Sequence, residues 1–251
     1  MGVLTGRTAL VTGGSRGIGR AIAERLGRDG ALVAVHYGRD EAAAKETVAA
    51  IEDAGGQAFA VQAELGVPGD AAALWSAFDA QADGLDILVN NAGTDGLREP
   101  LAGVTEEAFD RVFAINTKAP FFITQLGLER LRDGGRVINV STVLTRGVAA
   151  PELISYSMTK GAIDVFTSTL AKDLGPRGIT VNAVAPGVVD TDMNAGWLRG
   201  NPEAWQASSE ISPLGRVGEP RDISDIVAFL ASDDSRWVTG QWIEAAGGAL
   251  L

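Results

Sequence analysis

Several residue types are scarce in this chain, and each scarcity excludes a class of chemistry. The 251 residues contain no cysteine, which excludes disulfide bonds and thiolate chemistry. His36 is the only histidine, which argues against a histidine-based metal site and against a Ser/His/Asp triad. We therefore predict no metal site.

Positive charge and long apolar runs are scarce as well. The chain has 21 Lys and Arg residues against 32 Asp and Glu residues, a formal net charge of -11, which repels phosphate backbones and anionic lipid headgroups. No run reaches the roughly 18 apolar residues of a membrane span, and residues 1–7 lack the apolar stretch of a signal peptide. We expect a cytoplasmic protein with neither a nucleic-acid nor a membrane partner.

Short apolar runs bounded by Gly and Asp recur along the chain, as is typical of strands buried on both faces. Segments with helical spacing lie between them, among them residues 18–30, 40–56 and 106–135. The alternation predicts a single-domain α/β protein over residues 1–251, a doubly wound parallel sheet flanked by helices. The six predicted strands span residues 8–12, 31–37, 58–62, 86–90, 136–140 and 179–186.

Residues 191–219 break this alternation and are a candidate substrate lid, with two Trp residues among Gly, Pro and Asn. The apolar residues of the segment either line that lid or belong to the core or to a subunit contact. They are Met193, Trp197, Leu198 and Trp205.

A glycine-rich turn follows the first predicted strand. The stretch "LVTGGSRGIGRAIAERL" (10–26) places Gly13, Gly17 and Gly19 where the first helix opens. Glycine permits a tight turn and a close backbone approach, and a helix N-terminus offers unpaired N–H groups to a pyrophosphate. The turn predicts a dinucleotide site, with an ordinary glycine-rich turn as the alternative.

Tyr156 and Lys160 are four residues apart in residues 155–174, whose helical spacing places both on one helix face. A nearby ammonium favours the phenolate and lowers the pKa of a tyrosine, so Tyr156 is a candidate general acid. The alternative is a half-buried Tyr and a surface Lys without a catalytic role.

Two neighbouring hydroxyls, Ser141 and Thr142, end the fifth predicted strand in "VINVSTVL" (137–144). Successive side chains of a strand face opposite ways, so both reach one substrate carbonyl only if the strand has already ended.

An ordered set of motifs covers almost the whole chain and resembles the short-chain dehydrogenase/reductase family. Within that family the chain looks most like bacterial 3-oxoacyl-carrier-protein reductases and related ketoreductases. The resemblance implies a Rossmann-type sheet and NADPH-dependent reduction of a β-ketoacyl or polyketide-like ketone, either a small molecule or carrier-bound. The motifs are "TGGSRGIG" (12–19), "NNAG" (90–93), Asn116, "YSMTK" (156–160), "APG" (185–187) followed by Thr191, and "TGQWIEAAGG" (239–248).

The resemblance also implies catalytic roles. Tyr156 protonates the carbonyl oxygen as hydride arrives from NADPH, and Lys160 bonds the nicotinamide ribose. Asn116 holds a water for proton return, with a capping or kinking residue of the helix as the alternative. Relatives usually read "INVSS", which assigns carbonyl polarisation to Thr142, whose methyl group narrows the tolerance for bulky ketones. Ser141 in that role, or Thr142 as a spent position in a weakened enzyme, is the alternative.

The end of the second strand, "VAVHYGRD", favours NADP(H) because no carboxylate stands at its last two positions to bind a ribose 2'-hydroxyl. Arg16 and Arg39 suit a 2'-phosphate, and the alternative makes them surface charges, with Arg39 paired to Asp40 or Glu41. Relatives carry Asp where Glu64 stands, and we expect Glu64 to reach the same adenine amine.

The predicted cofactor contacts combine the glycine turn with residues that follow later strands. The residues after the fourth strand are read as adenosine-side contacts, with a simple turn as the alternative. The contacts are Gly13, Ser15, Arg16, Gly17, Ile18, Gly19, Tyr37, Arg39, Glu64, Leu65, Asn91, Ala92, Gly93, Tyr156, Lys160, Pro186, Gly187, Val189 and Thr191.

Two other functions stay open: a dehydrogenase of a sugar, steroid or other secondary alcohol, and a cofactor-binding scaffold without turnover. The resemblance implies a homotetramer, paired through the helices that contain residues 106–132 and 155–174. Residues 242–251 would help a second interface.

Overall fold

Seven parallel strands form one sheet in the computed structural model of the protein. The structure describes residues 2–147 and 150–251, and Met1, Val148 and Ala149 of the predicted domain lie outside the described residues. The strand order is β3-β2-β1-β4-β5-β6-β7, and each neighbouring pair is parallel. The strands are β1 Thr8–Val11, β2 Leu32–Tyr37, β3 Gln57–Gln62, β4 Leu85–Asn90, β5 Leu131–Val140, β6 Thr180–Pro186 and β7 Trp242–Ala245.

The six predicted strands are confirmed, and β7 is the strand that the sequence pattern missed. β7 lies at the sheet edge beside β6, and its four residues are all half-buried. An edge strand of this kind does not need a continuous apolar run, and "WIEA" does not have one.

Nine α-helices connect the strands of the described chain, and none there has both the length and the apolarity to cross a membrane. They are α1 Gly17–Arg28, α2 Glu41–Asp53, α3 Asp70–Asp79, α4 Glu106–Phe113, α5 Ala119–Gly127, α6 Ile154–Leu174, α7 Asp192–Leu198, α8 Pro202–Ile211 and α9 Pro220–Ala231.

The segment predicted to be helical over 106–135 ends earlier than expected. A π-helical turn, Ala114–Lys118, separates α4 from α5, and β5 already begins at Leu131. The chain has left the helix by Leu131, which pairs with Leu85 of β4, and Gly134 within β5 adopts a left-handed φ of 75°.

Helices cover both faces of the sheet, and the topology opens a crevice in the middle. One apolar core joins α1 and α9 to the sheet, and a second joins α3, α5 and α6 to the opposite face. β1 lies between β2 and β4. The chain adds β2 and β3 on one side of β1 and then returns to add β4 to β7 on the other side, so the strand order reverses next to β1. Ligands of such sheets bind beyond the carboxyl ends of the strands at this switch point. The predicted fold class is confirmed.

Candidate active site

The loop between β1 and α1 is shaped so that backbone, not side chain, lines it. Gly13 has a φ of 63°, which other residues rarely adopt. A Cβ atom on Gly19 would lie 2.1 Å from the Gly13 carbonyl oxygen. Helix α1 begins after Arg16, whose side chain makes no capping hydrogen bond. The first amides of α1 therefore stay open to a pyrophosphate, and the loop fits the predicted dinucleotide.

The end of β4 holds this loop in place. The Asn91 amide donates to the carbonyl oxygens of Thr12 at 2.9 Å and Gly13 at 3.2 Å. The Thr12 hydroxyl accepts the backbone N–H groups of Asn91 and Ala92, each at 3.0 Å. The Asn91 side chain thus serves the loop, and the turn after β4 is a structural element as well as a predicted cofactor contact.

His36 lies beneath the same loop with 2% of its surface exposed. Its Nδ1 accepts the N–H of Gly13 at 3.0 Å, and its Nε2 lies 3.0 Å from the carbonyl oxygen of Ala63. Burial lowers the pKa of His36 to about 4, so the ring is neutral near pH 7. Sequence reasoning missed this contact because its partners are 23 and 27 residues away.

Arg16 and Arg39 are both exposed at the edge of the crevice. Arg39 forms an ion pair with Glu64, the residue expected at the adenine. Asp40 instead caps α2, and Glu41 pairs with a lysine of that helix. Arg39 is thus paired with a carboxylate across the crevice edge, and the 2'-phosphate role of the two arginines and the adenine role of Glu64 stay predictions.

The other predicted cofactor contacts line the same edge of the sheet. Thr191 packs on the glycine loop, since a Cβ atom on Gly17 would lie 3.5 Å from its side chain. The remaining positions are Ser15 and Ile18 in the loop and first turn of α1, Tyr37 at the end of β2, Leu65 after β3, Gly93 after β4, and Pro186, Gly187 and Val189 at and after the end of β6.

Tyr156 and Lys160 lie near the start of α6, with Lys160 Nζ 5.7 Å from the centre of the Tyr156 ring. Nζ donates to the carbonyl oxygen of Val140 at 2.7 Å, where β5 ends. Burial raises the pKa of Tyr156 to about 12 and lowers that of Lys160 to about 8. The expected lowering of the Tyr156 pKa is absent because burial disfavours the phenolate and nearby Asp95 adds to the effect. Tyr156 keeps its proton near pH 7, as a proton donor must.

Asn116 lies in the π-helical turn, is 1% exposed and clamps three segments together. Its Oδ1 accepts the N–H of Thr94 at 2.9 Å, and its Nδ2 donates to the Thr94 carbonyl at 2.8 Å and to Thr159 Oγ1 at 3.1 Å. A Cβ atom on Gly93 would lie 3.3 Å from Asn116 Oδ1 and 3.6 Å from Lys160 Nζ. The Asn116 side-chain amide therefore already bonds the loop after β4 and α6, and its water-holding role stays a prediction.

Ser141 and Thr142 are both buried, and they interact with different partners. The Ser141 hydroxyl donates to Asp164 Oδ1 at 2.5 Å, whereas the Thr142 hydroxyl lies beside the Tyr156 phenol and favours its ionised form. This arrangement agrees with Thr142 as the hydroxyl that faces a substrate carbonyl. Asp164, whose charge raises the pKa of Lys160, is a residue that sequence reasoning missed.

The predicted lid forms α7, α8 and their flanking loops, and its apolar residues differ in burial. Leu198 is fully buried and belongs to the core, whereas Met193 and Trp205 are 45% and 41% exposed. Trp197 is half-buried beneath the Arg98 guanidinium, which lies 5.1 Å from the ring centre. Arg98 also lies 3.7 Å from Glu152, so this residue joins the loop after β4 to the lid and to the entry of α6.

Comparison with known proteins shows the same fold in enzymes with closely related sequences. Residues 13–249 match the family pattern described as enoyl-(acyl carrier protein) reductase. The angucycline C-6 ketoreductase LanV with bound NADP has a TM-score of 0.93 and 51% identity, covering 99% of this chain and 97% of LanV. LanV with bound NADP and rabelomycin has a TM-score of 0.89. LugOII, a reductase that catalyses keto-reduction at C1 during lugdunomycin biosynthesis, has a TM-score of 0.92 and 52% identity over 99% of both chains.

A curated relative gives the same result from sequence alone. Versicolorin reductase 1 of Aspergillus parasiticus is 43% identical over 257 residues, which cover 98% of this chain and 97% of the relative. The resemblance that the motifs indicated is therefore confirmed over nearly the full length: the chain is an oxidoreductase that belongs to the short-chain dehydrogenase/reductase family.

Proposed function

We propose that this oxidoreductase uses NADPH to reduce a ketone of a polycyclic aromatic, polyketide-type molecule to a secondary alcohol. The observation that carries the proposal is the convergence of the Tyr156 phenol, the Thr142 hydroxyl and the Lys160 ammonium, with Lys160 beside Gly93 in the turn that holds the glycine loop. LanV, a ketoreductase with bound NADP that is 51% identical to this chain, supports the cofactor and the reaction.

The residues divide the chemistry between them. Bound NADPH supplies the hydride that the carbonyl carbon receives. Thr142 donates a hydrogen bond to the carbonyl oxygen and draws negative charge towards it. Tyr156, protonated near pH 7, gives its proton to that oxygen, and Lys160 holds the nicotinamide ribose and stabilises the phenolate left behind. Asn116 is proposed to position the water that returns a proton.

The substrate class rests on two supports. Rabelomycin is bound to LanV, LugOII catalyses keto-reduction at C1 during lugdunomycin biosynthesis, and a third relative is named versicolorin reductase 1. In this chain, exposed apolar side chains occur after β4, at Leu97 and Leu101, and in the predicted lid, at Met193 and Trp205; Leu97 lines the same cavity as Tyr156. Such side chains suit a planar apolar ligand better than a polar sugar.

A ketone panel followed by NADPH absorbance tests the proposal. We expect polycyclic aromatic ketones to give a higher kcat/KM than a simple β-ketoacyl substrate. That β-ketoacyl substrate is tested both as a free ester and as a thioester on a carrier. Preference for the carrier-bound ester would overturn the substrate class, and a lack of NADPH oxidation with every ketone would overturn the reductase itself.

We also propose a homotetramer that pairs through α4, α5 and α6 and uses residues 242–251 in a second interface. Large apolar side chains on α5 and α6 are well exposed in the single chain, as expected of residues that a partner subunit covers. They are Phe121, Phe122, Leu126, Met158 and Val165. A monodisperse 26.0 kDa species in light scattering would contradict this proposal. The cytoplasmic location stays a prediction that cell fractionation tests.

A further inference from the structure

His36 connects the two loops that flank the adenosine half of the crevice. One loop is the glycine turn, whose Gly13 N–H donates to His36 Nδ1. The other begins at Ala63, whose carbonyl oxygen lies 3.0 Å from His36 Nε2 and which precedes the predicted adenine contacts Glu64 and Leu65. A third bond uses the main chain, since the Gly14 N–H donates to the His36 carbonyl oxygen at 2.8 Å.

This geometry allows only one form of the ring. An Nδ1 that accepts an N–H carries no proton, so a neutral imidazole must carry its proton on Nε2 and donate it to the Ala63 carbonyl. The ring is 2% exposed, and burial lowers its pKa to about 4, which keeps this neutral form through the physiological range.

We propose that His36 is a positioning residue for NADP(H), because its ring sets the distance between the pyrophosphate-binding turn and the adenine-side segment. The inference rests on the proposed cofactor. Two successive amides of the glycine turn, those of Gly13 and Gly14, are directed towards His36, which fixes the orientation of the turn at the opening of α1. Without the ring, the Gly13 N–H and the Ala63 carbonyl would both lose a buried partner.

The chain provides a matched control at the far side of the sheet. Asn182 of β6 is fully buried and also bridges two backbone groups: its Nδ2 donates to the Val238 carbonyl at 2.8 Å, and its Oδ1 accepts the Gln241 N–H at 3.1 Å. Replacing Asn182 removes a comparable bridge that has no contact with the glycine turn.

The test compares NADPH affinity, measured by fluorescence titration, with the Tm of the full-length chain. We expect His36→Phe, which keeps a ring without its nitrogens, to raise the Kd of NADPH about tenfold and leave kcat at saturation almost unchanged. His36→Gln, which keeps one donor and one acceptor, should restore part of the affinity. Asn182→Leu should lower the Tm and leave the Kd unchanged. Wild-type affinity in His36→Phe, or an equal loss in Asn182→Leu, would overturn the proposal.

A second readout needs no variant. Since the chain has one histidine, an untagged protein labelled with ¹⁵N-histidine gives a single pair of ring signals. We expect a protonated Nε2 and an unprotonated Nδ1, both of which shift when NADP⁺ is added. A ring protonated on Nδ1, or one whose signals ignore NADP⁺, would contradict the inference even if His36→Phe failed to fold. Failure of the wild type to bind NADPH would instead refute the proposed cofactor, while the ring signals would still report the bridge.

Discussion

The two sides of the crevice differ in how many of their side chains already have partners within the protein. On the cofactor side, His36 and Asn91 direct polar atoms to the backbone of the glycine loop, and the Thr12 hydroxyl binds the turn after β4; all three residues are at least partly buried. On the substrate side, Leu97 and Leu101 are 67% and 71% exposed. The cofactor side is therefore preformed, whereas the substrate side has apolar surface that a ligand can still cover.

The largest expected effect tests whether the boundary between the two sides is catalytic. Tyr156→Phe removes the transferable proton and keeps the ring, so we expect kcat to fall by about 100- to 10,000-fold with NADPH affinity retained. Single-turnover kinetics and a fluorescence titration measure the two quantities. A near-normal rate would remove Tyr156 from the role of general acid, and a matching loss of affinity would mean that the phenolic hydroxyl itself holds the cofactor.

The next effect distinguishes the two neighbouring hydroxyls. Thr142→Val removes the donor beside Tyr156 at nearly constant volume, and we expect a loss of about 100-fold in kcat. Thr142→Ser should stay active and accept bulkier ketones, because it lacks the methyl group. Ser141→Ala is the matched control and should be mild, since Ser141 donates to Asp164. A crippled Ser141→Ala with an active Thr142→Val would reverse the assignment.

A smaller effect concerns the cofactor side alone. Arg16→Ala and Arg39→Ala each remove a charge-assisted contact proposed for the 2'-phosphate, so we expect about a 10- to 100-fold higher Kd for NADPH. The Kd for NADH should stay the same, because that cofactor lacks the phosphate. Equal affinity of the wild type for NADPH and NADH would rule out a 2'-phosphate site.

Asp164 provides a test by pH. Its charge raises the pKa of Lys160, which burial has lowered to about 8, so Asp164→Asn should lower the Lys160 pKa further. Lys160 would then lose its proton at lower pH, and the alkaline fall in kcat/KM should begin at lower pH than in the wild type. The asparagine side chain can still accept the hydrogen bond that the Ser141 hydroxyl donates, so the variant removes the charge and keeps this contact. A pH profile identical to that of the wild type would show that Asp164 has no electrostatic role.

The smallest effect concerns the substrate side. Arg98→Ala removes the guanidinium above Trp197, and we expect the KM for a polycyclic ketone to rise a few-fold while NADPH affinity stays constant. Arg130→Ala is the control, because it removes a guanidinium that also lies 5.1 Å from a Trp ring centre, that of Trp75, outside the crevice. If both variants change KM equally, the lid contact has no special role.

The sequence predicted the parts of the molecule that local pattern determines. Buried parallel strands need apolar runs, and the turn into α1 needs Gly13 and Gly19, so both could be read directly. The ion pair of Arg39 with Glu64 and the bond of Ser141 to Asp164 could not, because their partners are 25 and 23 residues apart. The raised pKa of Tyr156 was missed for a related reason: helical spacing shows that Lys160 is near, but it does not show how deeply the phenol is buried.

The π-helical turn at Ala114–Lys118 has a consequence for insertions and deletions in this family of sequences. A π-turn accommodates one more residue than an α-helix over the same length, and here the wider turn holds Asn116. Deleting a single residue such as Ile115 would allow a continuous α-helix from α4 into α5. Each residue of an α-helix turns the chain by about 100°, so deleting Ile115 would rotate Asn116 relative to α4, the helix that precedes it. A homologue shortened by one residue here should therefore lack the Asn116 clamp even if it retains the asparagine.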